Sequence, residues 1–288
     1  MSVYEDVFDT ISEMTKANSP KQEGDYEQDG LLFCGKCHTA KQVRINFLGV
    51  EKKPYCICKC EQEKREAEEK ARQQVELERR IYRNKLNAFP DVKDDTAPED
   101  DMRNWTFEND NGKQPELSAA AKRYVENFES FVKQGKGLLL YGSVGVGKSY
   151  IAGCIANAVL DKGYQVLMTT FDRIETTAFG MSSGKQEYFD SLNRIPLLIL
   201  DDLGAERDTE YMQEIVYKVI DSRCRVNLPI IITSNLTSQE LKNPENIMKQ
   251  RIYSRLLKMC HPIHVKGDDQ RKRKALESYA ETKKILGI

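Results

Sequence analysis

The chain has 288 residues, a length for about two domains, and its 44 Lys+Arg against 45 Asp+Glu leave a formal net charge of −1. That balance gives no global electrostatic case for a nucleic-acid or membrane partner. A hydrophobic content of 40% with 31% charged residues is polar, yet excludes the disordered extreme. The acidic first ten residues lack a signal-peptide core, and no apolar run approaches the ~18 residues of a membrane span. A cytoplasmic protein with no membrane partner is therefore expected.

Taken in order, residues 1–30 are polar, contain Asn18-Ser19-Pro20 and Gly24, and read as a flexible lead. Residues 31–60 hold five of the eight cysteines. Cys34-Gly35-Lys36-Cys37 is a C-x-x-C knuckle, and Cys56, Cys58 and Cys60 follow after a possible hairpin over 43–50. Clustered cysteines in a cytosolic chain indicate metal binding rather than disulfides. A structural Zn²⁺ site of four cysteines is expected, from Cys34, Cys37 and two of Cys56, Cys58 and Cys60, with His38 as a weaker alternative. Those three share one face if that stretch is extended. Thirty residues bury too little surface to fold alone, so metal would supply the folding energy. Cys154, Cys224 and Cys260 lie in apolar patterns and read as small buried hydrophobes.

Residues 61–85 carry 7 acidic and 8 basic side chains without Gly or Pro. They predict one exposed helix, a solvated spacer in preference to a coiled coil. Residues 91–110, with 8 acidic and 2 basic residues, read as a linker. The expected modules are a 31–60 metal-binding module, a 61–102 helix and linker, and a 103–288 catalytic domain. In that last part, short apolar strands over 137–141, 166–169, 197–200 and 230–233 alternate with helices over 119–132, 149–160 and 209–222. This is the pattern of an α/β fold with a parallel sheet covered on both faces.

Gly142-Ser143-Val144-Gly145-Val146-Gly147-Lys148-Ser149 satisfies G-x-x-x-x-G-K-[ST] between an expected strand and an expected helix. Its glycines let backbone N–H groups face phosphate oxygens at a helix N-terminus. Lys148 is expected to reach the β- and γ-phosphates of ATP, and the Ser149 hydroxyl to bind Mg²⁺. Ile199-Leu200-Asp201-Asp202, with Asp201 fifty-two residues after Ser149, ends a core strand, expected next to the phosphate-loop strand. There Asp201 would hold Mg²⁺ through water and Asp202 would orient the attacking water. Thr233-Ser234-Asn235 ends the next strand and puts a polar side chain within reach of the γ-phosphate, although Ser-Asn also makes an ordinary turn. Arg251 and Arg255 lie four apart on an expected helix after the last expected core strand. They read either as solvent-exposed charges or as an arginine finger for a neighbouring subunit.

With these residues in this order, the stretch 103–275 resembles the AAA+ ATPases of the DnaC/DnaI helicase-loader and IstB-like group. Asp202-Leu203-Gly204-Ala205-Glu206 is its most group-specific piece. The resemblance implies a P-loop AAA+ fold, Asn235 as the first sensor, Arg255 or Arg251 as the finger, and a homo-oligomer formed on ATP and DNA. It also implies that Arg271 senses nucleotide, that Trp105-Thr106-Phe107 lies near the adenine, that the helical lid is truncated or absent, and that the zinc module contacts a replicative helicase. Residues 242–288 carry 12 basic against 5 acidic residues, suited to single-stranded DNA or to a plain solvated tail. The expected function is ATP-dependent helicase loading or remodelling in DNA replication. The rivals are an IstB-like transposition helper, and a zinc adaptor that uses ATP as a passive switch.

Overall fold

The structure is a computed structural model that describes residues 21–288 apart from 48, 94–95, 98–99, 271, 273–278 and 280–281. Residues 1–20, most of the expected lead, and Arg271 with most of the basic run after it therefore lie outside the described residues. The chain forms two compact units, one up to Leu77 and one from Glu78.

In the first unit, β1 (Tyr26–Gln28) and β2 (Leu31–Phe33) pair antiparallel. They join through Asp29-Gly30, both at positive φ, the backbone a tight two-residue hairpin turn requires. The second hairpin, expected over 43–50, consists of β3 (Ile45–Phe47) and β4 (Val50–Lys52). Helix α1 (Lys59–Leu86) follows and has no buried residue, as its charge pattern foretold. Because the helix already begins at Lys59, Cys60 belongs to its first turn and Cys56, Cys58 and Cys60 are not on one extended strand.

The second unit is built on five parallel strands, β5 (Gly137–Tyr141), β6 (Val166–Thr170), β7 (Leu197–Leu203), β8 (Ile230–Ser234) and β9 (Cys260–His264), in the order β6-β7-β8-β5-β9. Alternate strand residues face opposite cores. Leu138, Leu140, Ile199 and Ile231 pack with helices α2 (Pro115–Glu126) and α4 (Lys148–Asp161). Leu139, Leu198, Leu200 and Ile232 pack on the other face with α5 (Phe171–Gly180), α6 (Lys185–Leu192), α7 (Glu210–Val226) and α9 (Ile247–Met259).

The differences from expectation are local. The helix expected over 119–132 is two helices, α2 and α3 (Phe128–Gln134), parted at Asn127. Strand β9 was missed because its sequence, Cys-His-Pro-Ile-His, is polar and contains Pro262, which only an edge strand tolerates. Helices α5, α6 and the short α8 (Ser238–Lys242) were likewise not anticipated. The acidic stretch after Pro90 is attached to the body rather than a free linker. Ala88 and Phe89 are buried, and Ala88 O accepts Met168 N–H at 2.8 Å along the outer edge of β6. Asp91 accepts the Thr169 hydroxyl at 2.8 Å, and Asp101 caps the 3-10 turn Met102–Asn104. Carboxylates that composition reads as linker serve here as hydrogen-bond acceptors, Asp91 for a strand hydroxyl and Asp101 for a helix start. The expected boundary at 103 thus falls inside the second unit.

Candidate functional site

Phosphate binding starts from backbone shape. Gly142, Gly145 and Gly147 all have positive φ, and a Cβ on Gly142 would lie 2.3 Å from Val265 O. Only glycine lets the chain curl from β5 into α4 under that segment. The curl turns the first N–H groups of α4 toward one point, a ready anion site. Lys148 is 5% exposed, and its Nζ donates to Gly142 O at 3.0 Å, Ser143 O at 2.7 Å and Asn235 Oδ1 at 2.9 Å. An ammonium at the mouth of this turn suits an anionic ligand.

The strand order places the acidic residues. Strand β8 lies between β5 and β7, so Asp201 is not on the strand next to the phosphate loop, as the sequence led us to expect. The inserted strand instead brings Asn235 between Lys148 and Asp202, with Asn235 Nδ2 at 3.4 Å from Asp202 Oδ1. Asp201 is 7% exposed, and its Oδ1 accepts the Thr233 hydroxyl at 2.6 Å. Burial pushes its carboxyl above the usual carboxylate range, against the hydrogen bonds from Thr233 and Ser149. Asp202 takes a φ of +59° at a bulge between Leu200 and Leu203. Phosphate loop, Asp201, Asp202 and Asn235 thus converge at the C-terminal ends of the parallel strands, where open α/β sheets bind ligands.

A cavity of about 910 Å³ opens here, lined among others by Trp105, Gln114, Lys148, Ser149, Asp202 and Gln270. That volume is ample for a nucleotide. Its far wall is the segment expected near the adenine. Trp105 packs on Gly153, where a Cβ would lie 2.5 Å from the ring. Asn157, unanticipated from sequence, donates to Met102 O at 2.8 Å and Trp105 O at 2.9 Å, and the Tyr150 hydroxyl donates to Thr106 O at 3.1 Å. Tyr150, Gly153 and Asn157 share one face of α4, a spacing visible in the sequence but without meaning until the segment lay against it. After β9, Gln270 N–H donates to Gly145 O at 2.9 Å, so this stretch lies over the phosphate turn.

The residues fit ATP and Mg²⁺ by their chemistry. The glycine turn and Lys148 would hold phosphates. Asp201 and the Ser149 hydroxyl offer the oxygen ligands Mg²⁺ prefers, and the cation would supply charge neutralisation of the phosphates.

Arg255 precedes β9 and therefore does not follow the last core strand. Its Nε donates to Asp221, its guanidinium lies 4.7 Å from the Tyr217 ring centroid, and its Nη1 is 3.5 Å from Arg251 O. Arg251 is exposed and has no ion pair among the described residues.

In the first unit, the sulfurs of Cys34, Cys37, Cys58 and Cys60 all lie within 4.8 Å of one another. Cys34–Cys60 and Cys58–Cys60 are 3.6 and 3.5 Å apart. A tetrahedron with Zn–S arms of about 2.3 Å has edges of about 3.8 Å, so the donor set fits Zn²⁺. Cys56 stands outside the cluster, its thiol directed at Ala40 O at 3.3 Å. His38 is turned away, with Nδ1 at 3.2 Å from the Tyr26 hydroxyl. The Thr39 hydroxyl pulls Cys37 down to about 5, while hydrogen bonds among the sulfurs push Cys60 up to about 12. Four sulfurs this close favour full ionisation only with a cation between them.

The replicative helicase loader DnaI of Bacillus subtilis is 29% identical over 186 residues, 59% of this chain and 60% of that protein. A candidate ATP-binding protein of an insertion sequence in Mycobacterium tuberculosis is 27% identical over 219 residues, 73% of this chain and 79% of that protein. The crystal structure of a candidate primosome component from Streptococcus pyogenes matches with a TM-score of 0.50 at 24% identity, covering 65% of this chain and 96% of that one. The chain thus spans about 60% of the length of the helicase loader it matches. Residues 103–278 match the family described as IstB-like ATP binding protein, and with its phosphate loop, paired aspartates and five-stranded parallel sheet the chain belongs to that family of AAA+ ATP-binding proteins.

Proposed function

We propose that this protein hydrolyses ATP to load or remodel a replicative helicase on single-stranded DNA. The hydrogen-bonded line Lys148–Asn235–Asp202 carries the hydrolysis part of the reading. It ties the phosphate-binding cation to the carboxylate expected to orient water, through a side chain able to report which nucleotide is bound. Asp201 and Ser149 hold Mg²⁺, and Arg255, or else Arg251, reaches a neighbouring copy in the homo-oligomer. ATP binding fixes one conformation of that oligomer and hydrolysis releases it. Likeness to the Bacillus subtilis loader supports the replicative helicase as partner. The four-cysteine cluster with Zn²⁺ is the module proposed to dock on it, followed by the charged α1.

The insertion-sequence relative, matched over 79% of its length, favours a second reading as a transposition helper. One experiment separates them. The purified chain is mixed with the replicative helicase of its own host, ATP and single-stranded DNA, and helicase on the DNA is counted. We expect ATP-dependent transfer, lost with Lys148→Ala, which cannot bind nucleotide. Asp202→Asn is expected to bind ATP normally and lose at least about 10²-fold in turnover. No association with helicase, alongside normal ATP turnover, would favour the transposition reading. Wild-type turnover by Asp202→Asn would remove that residue from the chemistry.

A further inference from the structure

Thr233 and Ser234 close β8 and are both fully buried, directly after Ile230, Ile231 and Ile232. A valine or isoleucine at 233 would continue the apolar run without a buried hydroxyl to satisfy, so the hydroxyl calls for an explanation. The Thr233 Oγ1 makes two bonds. It donates to Asp201 Oδ1 at 2.6 Å and accepts the Asp202 backbone N–H at 2.9 Å. The Ser234 hydroxyl donates to Leu203 O at 2.6 Å and accepts Leu236 N–H at 3.2 Å. Two successive hydroxyls therefore fasten the end of β8 to three consecutive residues of β7, across the bulge that interrupts the ladder between Leu200 and Leu203.

The consequences fall on both aspartates. A carboxylate with one oxygen fixed by a buried donor has the direction of its other oxygen set. Asp202 is a non-glycine residue at φ +59°, a backbone state that persists only where its surroundings hold it. The only side-chain acceptor described for its N–H is Thr233. Asn235, two residues on, is carried by the same strand end. We infer that Thr233 is a positioning residue that locks the Asn235-bearing strand to both aspartates, aiming Asp201 toward Mg²⁺ and holding the turned backbone of Asp202. This rests on the reading of the site as an Mg²⁺–ATP centre.

The test compares the full chain with Thr233→Val, which keeps the shape and removes both bonds, and Thr233→Ser, which keeps the hydroxyl. Binding of N-methylanthraniloyl-ATP is titrated against Mg²⁺ and, separately, in EDTA, with turnover measured in parallel. We expect Thr233→Val to bind within about 3-fold of wild type in EDTA, but to need about 10-fold or more Mg²⁺ to reach its midpoint, with kcat falling more than KM rises. Thr233→Ser should stay within about 3-fold of wild type throughout. A wild-type Mg²⁺ midpoint in Thr233→Val would overturn the inference. So would a serine variant as displaced as the valine one, since the methyl group and not the hydroxyl would then matter. If the valine protein does not fold, Thr233→Ala takes its place in the same comparison. Absence of turnover in the wild-type chain would overturn the hydrolysis reading alone, because the Mg²⁺ midpoints decide the role of Thr233 without it.

Discussion

Asp221 governs how Arg255 is presented. The carboxylate engages only Nε of that guanidinium, and its other oxygen takes Arg225 at 2.6 Å. Among the described residues, the terminal nitrogens of Arg255 are left with one long contact to Arg251 O, and the side chain is 30% exposed. An arginine gripped at Nε and stacked on Tyr217 has lost rotamer freedom while keeping the end of its fork available, the preorganisation a finger acting on another subunit would use. Arg255→Ala should therefore leave ATP affinity nearly unchanged and lower turnover by about 10³-fold or more in the oligomer. Mixing it with Lys148→Ala should restore part of the turnover, since that subunit donates a finger to a neighbour with an intact phosphate loop. If Arg255→Ala is not complemented and Arg251→Ala is, the exposed Arg251 takes the role. If neither is, the shared site is wrong. The sequence supplied both arginines and their helix; it gave no sign that Asp221, 34 positions before Arg255 and on α7, would pair with it.

At the scale of elements, the small unit and the phosphate-loop unit derive order from different sources. The first unit consists of three-residue strands and two turns, with Leu32, Cys34 and Cys58 among its few buried apolar residues. Such a unit needs a staple, and four thiols in tetrahedral reach would provide one on binding Zn²⁺. We expect one Zn²⁺ per chain by elemental analysis, and loss of the unit's folded signals on chelation, while the melting of the second unit is unchanged. Cys34→Ser or Cys60→Ser should lose the metal, and Cys56→Ser should keep it. Retention of Zn²⁺ by Cys60→Ser with loss in Cys56→Ser would contradict the cluster. The sequence limited the choice to two of three cysteines. What brings Cys60 beside Cys58, rather than Cys56, is the start of α1 at Lys59, where Lys59 N–H bonds the Thr39 hydroxyl at 3.0 Å. Alternation along a strand could not foresee that, because a helix start changes the period from 2 to 3.6.

Across the second unit, the polar groups of the candidate site and those that only brace the fold occupy opposite ends of the sheet. The phosphate loop, Asp201, Asp202 and Asn235 are at the C-terminal ends of the strands. At the other end lies Arg223, with no exposed surface, donating to Leu192 O at 3.1 Å, Pro196 O at 3.1 Å and Pro229 O at 2.7 Å. It ties α7 to the turns that lead into β7 and β8. Burial pulls its guanidinium down to about 10, which still leaves it charged at neutral pH. Arg223→Met would leave three carbonyls without this donor and should destabilise the unit by about 2–5 kcal/mol. In a thermal melt that is a fall of more than about 5 °C. Nucleotide affinity at low temperature should change little, because the carbonyls concerned are a full strand length from the phosphate loop. An unshifted melting temperature would show that water replaces the guanidinium at no cost.

By itself, the sequence determined the phosphate loop, its flanking strand and helix, the paired aspartates and the parallel α/β class. Each is local: a glycine pattern fixes a turn, and an all-apolar run of four or five residues fixes a strand buried on both faces. Only the tertiary structure decided that β8 stands between β5 and β7, that a polar edge strand completes the sheet, and that Asp221 and Thr233 brace Arg255 and the aspartates. Those facts depend on which strand lies beside which. Strands of nearly identical apolar composition carry no label for their neighbours, so their order emerges only when the helices between them close over a common core.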